Sequence, residues 1–330
     1  MLRSGEQGVF STEESVILIT GAAGFIGYHL SKKLCALGEQ VVGIDSLNDY
    51  YDPVLKKARL KNLEKEKNFT FVKLDLCDYN GLMELFDQFD FEKICHLAAQ
   101  AGVRYSLTHP FAYQKSNSEG FLNIIEMARK NKVQNFVFAS SSSVYGLNTK
   151  LPFSESDRTD SPISLYAATK KANELVAHCY SHLYGIPCSG LRFFTVYGPW
   201  GRPDMALFMF TKNILAGETI DVFNNGKMKR NFTYIDDIVD GIVITLNNPA
   251  PYEIYNIGNS RAEELMSFIG EIEKNVGKKA IFNYLPMQPG DVPATVADIA
   301  KLQKLGYEPK TNIDQGIKDF IGWYRGYYKC

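Results

Sequence analysis

Val16-Ile17-Leu18-Ile19-Thr20 runs directly into Gly21-Ala22-Ala23-Gly24-Phe25-Ile26-Gly27. The first five residues are almost all aliphatic and read as a strand buried on both faces. After Gly24 the apolar positions Phe25, Ile26, Leu30, Leu34 and Leu37 fall on one helical face, and Gly38 stops the run. The three glycines at the join have separate jobs. The first permits a tight turn, the second lets backbone approach a pyrophosphate, and the third lets the helix pack on the strand. The anion then rests on free N–H groups at the positive end of the helix. The spacing is G-x-x-G-x-x-G, a variant of the dinucleotide fingerprint G-x-G-x-x-G. Gly21, Gly24, Phe25, Ile26 and Gly27 are therefore candidate cofactor-binding residues.

Further apolar runs with strand character lie at Val41–Asp45, Phe69–Leu74, Ile94–Ala99, Asn135–Ser141 and Pro187–Phe193, with helical spacing between most of them. That alternation predicts an α/β fold, a Rossmann-type doubly wound parallel sheet with helices on both faces. Past Thr195 glycines and prolines break the chain more often, and a smaller C-terminal lobe is expected. The expected division is a polar tail over 1–14, a nucleotide-binding domain over 15–194 and a substrate lobe over 195–330, some of whose segments are free to return to the large domain. The charged run from Lys56 to Lys67 mixes acids and bases at helical spacing and reads as a solvated helix face.

The second strand ends at Asp45. A carboxylate there binds adenosine ribose hydroxyls and repels a 2′-phosphate, which favours NAD over NADP. Asp75 and Leu76 follow the third strand and are candidates to hold the adenine. Downstream, Ser140-Ser141-Ser142-Ser143 ends an apolar strand, and Tyr166-Ala167-Ala168-Thr169-Lys170 places a tyrosine and a lysine one helical turn apart. A free tyrosine has a pKa of about 10 and is a poor base at neutral pH. A nearby lysine and a positive nicotinamide ring would favour the phenolate. Ser141, Tyr166 and Lys170, with Ser142 beside them, thus read as a proton-transfer set at the carboxyl edge of the sheet.

Composition narrows the function classes. The chain has 330 residues, 45% hydrophobic and 22% charged, with 36 basic against 37 acidic residues, a net charge of −1. A nucleic-acid binder is not expected from that balance. No apolar run approaches the ~18 residues of a membrane span, and residues 1–15 lack the apolar core of a secretory signal. The six cysteines are scattered, without metal or disulfide spacing, and read as free thiols of a cytoplasmic protein. Glu174, His178 and His182 share a helix face but lack a metal-binding pattern, so no metal is expected.

The segments Thr20–Gly27, Ser140–Gly146 and Tyr166–Lys170 resemble the extended short-chain dehydrogenase/reductase family over nearly the whole chain. The resemblance implies catalytic roles for Ser141, with Ser142 as neighbouring candidate, for Tyr166 as base and for Lys170 as its partner. It matches Asn117 to the family's Asn-x-x-Gly motif, and places Leu97, Ala98 and Ala99 against the cofactor. Within that family, Arg192–Met205, Asp49–Pro53 and Met287–Val292 are similar to the UDP-glucuronate 4-epimerases. The resemblance implies NAD as a bound cofactor, a UDP-sugar substrate and a transient 4-keto sugar. It implies that Thr195 and Arg202 grip the sugar carboxylate, that Arg230 holds the diphosphate, and that Gln288 and Asp291 belong to the substrate site. It also implies a homodimer through helices near Phe111–Lys130 and Leu165–Tyr184. The alternatives are epimerisation of another UDP-sugar, decarboxylation of UDP-glucuronate, and a non-catalytic dinucleotide sensor. A dehydratase is disfavoured, because Ser142 and Ser143 stand where it would need an acid pair.

Overall fold

The computed structural model describes residues 15–288 and 290–330, so the tail expected over 1–14 lies outside the described residues. Seven strands form the main sheet: β1 Val16–Thr20, β2 Gln40–Asp45, β3 Phe69–Lys73, β4 Phe91–His96, β5 Asn135–Ser141, β6 Cys188–Phe193 and β7 Tyr252–Ile257. Their order is β7-β6-β5-β4-β1-β2-β3, and every neighbouring pair is parallel. This is the doubly wound sheet that the alternation of runs predicts. β1 shows how both faces are used. Ile17 and Ile19 enter one apolar cluster, Val16 and Leu18 the other, as the two-residue period of a strand requires.

Helices cover both faces. On one, α1 Phe25–Ala36 carries Leu30 and Leu34 into the same cluster as Ile238 and Ile242 of Ile235–Leu246. On the other, Tyr79–Gln88, Gly120–Lys130 and Leu165–Tyr184 supply Leu82, Ile124 and Ala177. Caps set where the site-bearing helices begin. Ser164 accepts from Ala167 N at the start of Leu165–Tyr184. Asp52 accepts from Val54 N ahead of α2, Pro53–Leu63, whose Pro stands in the first turn.

Beyond residue 195 the chain builds a smaller lobe. Thr195–Tyr197 pairs with Phe232–Tyr234, and Thr219–Val222 with Ile281–Tyr284. Helices Ala206–Ala216, Leu265–Val276 and Ile313–Tyr328 pack around them, and the rings of Phe232 and Phe268 stack at 3.9 Å. Two later segments, Ile235–Leu246 and β7, lie in the layers of the large sheet instead.

One expectation is corrected. The charged run on α2 is not wholly solvated: Lys56 is 5% exposed and Arg59 0%. Both side chains turn inward onto backbone carbonyls. Lys56 Nζ donates to Asn48 O at 2.8 Å, and Arg59 to Ala23 O at 2.9 Å. Lys57, Lys61, Lys65 and Lys67 remain exposed as expected.

Candidate active site

The strand order reverses between β1 and β4, the position where ligands bind in open α/β sheets. The turn Gly21–Gly24 sits there. Gly21 has φ +74°, and a Cβ on it would lie 2.9 Å from Ala98 N. A Cβ on Gly27 would lie 2.1 Å from Gly21 O. Side chains are excluded at both positions by backbone, so the turn and α1 close on each other as the fingerprint requires.

A cavity of about 1150 Å³ opens from this turn. Gly21, Gly24, Phe25, Ile26 and Gly27 form one wall. Asp45 after β2, Asp75 and Leu76 after β3, and Leu97, Ala98 and Ala99 after β4 line it further. The Asp45 carboxylate accepts from Leu47 N at 2.8 Å and Ala23 N at 3.2 Å. Burial pushes its pKa up, and those two N–H groups with Lys56 and Arg59 oppose the push. A glycine cradle beside a carboxylate at the end of β2 fits a dinucleotide with free ribose hydroxyls.

The loop after β4 is fixed by a buried pair. Thr20 Oγ1 accepts from Leu97 N and Ala98 N, each at 3.1 Å, and lies 2.9 Å from His96 Nδ1. With its oxygen accepting twice, the hydroxyl donates to Nδ1, so His96 is the neutral Nε2–H tautomer. Burial agrees, holding the His96 pKa down to about 3.

β5 delivers the serines in two directions. Ser140 donates to Glu174 Oε1, on the helix of Tyr166, at 2.7 Å, where Arg192 also pairs at 2.8 Å. Ser141, Ser142 and Ser143 line the cavity, and Ser141 Oγ accepts from Ser143 N at 3.1 Å. The Ser164 cap places Tyr166 in the first turn of its helix and Lys170 one turn on; both line the cavity. Burial lowers the Lys170 pKa to about 8. Its Nζ donates to Ala139 O at 2.8 Å. Burial raises the Tyr166 pKa, while the Ser141 hydroxyl and the Arg202 guanidinium hold it down. The sequence reading credited Lys170 with lowering the phenol. In the structure its ammonium serves Ala139 O, and Ser141 and Arg202 are the groups that favour the phenolate.

The far wall comes from the smaller lobe. Thr195, Arg202, Arg230, Gln288 and Asp291 all face the cavity. Thr195 N donates to Asn231 O at 3.1 Å, which fixes the strand that presents it. Arg202 does not stand free: its Nε and Nη2 both donate to Asp204, which also accepts from Tyr50. Burial lowers the Arg230 pKa, Asp291 raises it and Arg104 lowers it again. Gln288 Oε1 is buried with no hydrogen-bond partner among the described residues.

Asn117 is not in the cavity wall. It accepts from Gln100 N at 2.7 Å and donates to Thr169 Oγ1 at 3.1 Å, pinning the loop after β4 to the helix of Tyr166. Sequence reasoning missed several wall residues. Ser143 belonged to the same serine run, and Tyr50 to a segment already singled out. Lys56 was hidden in the charged run, and Arg104 had no pattern to reveal it. His178 and His182 are exposed. Among the described residues no group of three His, Cys, Asp or Glu could hold a metal. All six cysteines are free, with Cys35, Cys95 and Cys188 buried.

Comparison with known proteins adds to this geometry. The model of the NAD dependent epimerase/dehydratase family matches residues 17–258. The protein CapI of Staphylococcus aureus is 53% identical over 95% of this chain and 99% of its own length. UDP-glucuronate 4-epimerase 4 of Arabidopsis thaliana is 48% identical over 99% of this chain and 79% of its own. A crystal structure of UDP-glucuronic acid 4-epimerase from Bacillus cereus, in complex with UDP-glucuronic acid and NAD, superposes with a TM-score of 0.88. It is 35% identical, covering 95% of this chain and all of that one. No helix among the described residues is long and apolar enough to cross a membrane.

Proposed function

The chain belongs to the NAD-dependent epimerase/dehydratase family, and on that footing we propose that it inverts C4 of UDP-glucuronate to give UDP-galacturonate. The carrying observation is one cavity that joins the dinucleotide turn to Tyr166 and Ser141 and to a lobe bearing Thr195, Arg202 and Arg230. NAD, when bound, takes a hydride from C4 of the sugar and returns it to the opposite face, so none is consumed.

Gly21, Gly24 and Gly27 hold the dinucleotide backbone, and Asp45 takes its ribose hydroxyls. Asp75, Leu76 and Leu97–Ala99 enclose the adenine and nicotinamide ends. Tyr166 accepts the proton of the sugar 4-OH and later gives it back to the 4-keto oxygen. Ser141 steadies the phenol, since its hydroxyl faces that oxygen. Lys170 contributes a buried positive charge and tethers the helix to β5 through Ala139 O. Residues 15–194, with the returning strand β7, form the cofactor half; the rest of 195–330 forms the sugar half. Arg230 is our choice for the diphosphate, with Gln288 and Asp291 beside it.

The 4-keto form of glucuronate is a β-keto acid. It loses CO₂ when the C5–C6 bond lines up with the carbonyl π system. An epimerase must hold the carboxylate out of that alignment, and Thr195, Ser142 and Arg202 are placed for this. Beside Ser141 the wall carries Ser142 and Ser143 rather than an acid pair, which argues against a dehydratase. A sensor without turnover has no use for a buried lysine and a serine-backed phenol in the same cavity. Exposed Phe111, Leu122, Leu175 and Leu183 on the outer helices support a homodimer through that face, and the free thiols fit a cytoplasmic location.

Purified protein incubated with UDP-glucuronate and NAD tests the reading. UDP-galacturonate as the product supports it. UDP-xylose as the main product would make the chain a decarboxylase, and an unchanged sugar would leave an epimerase of another UDP-sugar or the sensor.

A further inference from the structure

Arg59 is a fully buried charge that takes no part in the proposed proton and hydride steps. It lies on α2, 0% exposed, with no carboxylate in ion-pair distance among the described residues. Its hydrogen bonds go to two parts of the protein that are far apart in sequence. Nη1 donates to Ala23 O of the dinucleotide turn at 2.9 Å and to the Tyr51 hydroxyl at 2.7 Å. Nη2 donates to Trp200 O at 2.6 Å and Gly201 O at 3.4 Å. Burying a cation without a carboxylate is costly unless its donors are met; here three backbone carbonyls and the Tyr51 hydroxyl take up Nη1 and Nη2, while Nε has no partner among the described residues.

The same loop is held from a second side. His29 of α1 lies 2.9 Å from Pro199 O through Nε2, and a carbonyl can only accept, so Nε2 carries the proton. Pro199, Trp200 and Gly201 thus have all three carbonyls engaged by two side chains of the cofactor half. Between them Trp200 sits at φ +62°, a left-handed conformation unfavourable for a bulky residue. Such a conformation persists only where the surroundings over-determine it. The residue after Gly201 is Arg202, whose partner Asp204 is held by Tyr50.

We propose that Arg59 is a positioning residue that joins the dinucleotide turn and the loop Pro199–Asp204 into one unit. Two effects follow from its two ends. Its charge stands behind Ala23, so it adds to the positive field on the pyrophosphate. Its fork fixes the register of Trp200 and Gly201, and through them the direction of Arg202. The first effect needs only a cation; the second needs the planar fork, which a lysine cannot reproduce. The second effect rests on the epimerase reading above, and the first does not.

Arg59→Lys and Arg59→Met separate them, measured well below each variant's melting temperature. Titration of the apoprotein with NAD reads the first effect, with no sugar present. Arg59→Lys keeps the wild-type NAD dissociation constant within about threefold, and Arg59→Met raises it at least tenfold. Turnover of UDP-glucuronate at saturating NAD reads the second. Both variants lose kcat by roughly 10- to 100-fold while the inhibition constant of UDP stays within about threefold. A role confined to stability would lower the melting temperature and leave NAD affinity, kcat and UDP inhibition unchanged; that result overturns the proposal. If Arg59→Met does not fold, wild-type kcat in Arg59→Lys overturns it. If the wild type fails to epimerise UDP-glucuronate, the epimerase reading falls. The NAD titrations then decide on Arg59: equal affinity in wild type and Arg59→Met rejects it.

Discussion

The Tyr50 hydroxyl donates to Asp204 Oδ2 at 3.0 Å across 154 residues of sequence. That bond closes a chain from the segment after β2 to the sugar-facing loop, because Asp204 also takes both Nε and Nη2 of Arg202. The guanidinium carbon lies 5.8 Å from the centre of the Tyr50 ring. Arg202 is thereby held by two neighbours, Asp204 and the Tyr50 ring.

Arg202→Ala is expected to weaken turnover of UDP-glucuronate. A charge-assisted contact is worth about 1.5–3 kcal/mol, so kcat/KM falls by roughly 10- to 150-fold. Binding of UDP, which lacks the sugar acid, changes little. The product profile is the second readout: a UDP-pentose appears as the loosened carboxylate leaves as CO₂. Equal losses in UDP binding and in turnover would place Arg202 on the diphosphate.

Tyr166→Phe removes the phenol proposed to take the proton of the sugar 4-OH. Loss of general-base catalysis costs about 10² to 10⁴ in rate. NAD affinity should stay within a few-fold, since the change removes one oxygen from the cavity wall. Single-turnover kinetics with bound NAD checks this, and more than half the wild-type rate would remove Tyr166 from the mechanism.

Asp45 predicts the cofactor. The dissociation constant for NADP should exceed that for NAD by at least tenfold, because a 2′-phosphate would face a carboxylate fixed by Ala23 N and Leu47 N. Asp45→Ala should narrow the gap. Isothermal titration with each dinucleotide measures it, and equal affinities in the wild type would contradict the assignment.

Acid should loosen the fold through buried histidines. Burial lowers the His29 pKa to about 4 against its Pro199 hydrogen bond. A lowered pKa means stability that is fully present above the ordinary value of 6.5 and is lost as pH falls towards 4. His29→Gln can still donate to Pro199 O but does not titrate. Between pH 7 and pH 5 the wild type should lose roughly 1–2 kcal/mol more than the variant. Denaturant unfolding at the two pH values measures the difference, and parallel losses would exclude His29.

The fold was legible because β1 and the glycine turn obey a steric rule visible in local sequence. Gly21, Gly24 and Gly27 are where backbone would collide with any Cβ. The six strands β1 to β6 and their doubly wound parallel arrangement followed from the alternation of apolar runs; their order, and the return of β7, which no local signal marks, did not. The residues chosen for cofactor, catalysis and substrate line the cavity, most of them fixed by motif register to a strand end or helix turn, while Asn117 lies behind the wall. What stayed hidden was tertiary. Arg59 looked like one of several solvated charges, since its acceptors at Trp200 and Gly201 lie more than a hundred residues away. The commitment of Lys170 to Ala139 O depends on how its helix packs on β5. Arg104 belongs to no motif and is brought over Phe223 by the fold alone, its guanidinium 5.2 Å from the ring.

If C4 gives up a hydride and receives the same one back on its other face, with Tyr166 moving the proton, the hydrogen at C4 never exchanges with water. Incubation with UDP-glucuronate carrying deuterium at C4, in ordinary water, tests this directly. The expected product is UDP-galacturonate that keeps its deuterium at C4, with no accumulation of reduced NAD. Protium at C4 of the product, or a UDP-pentose in place of UDP-galacturonate, would contradict it.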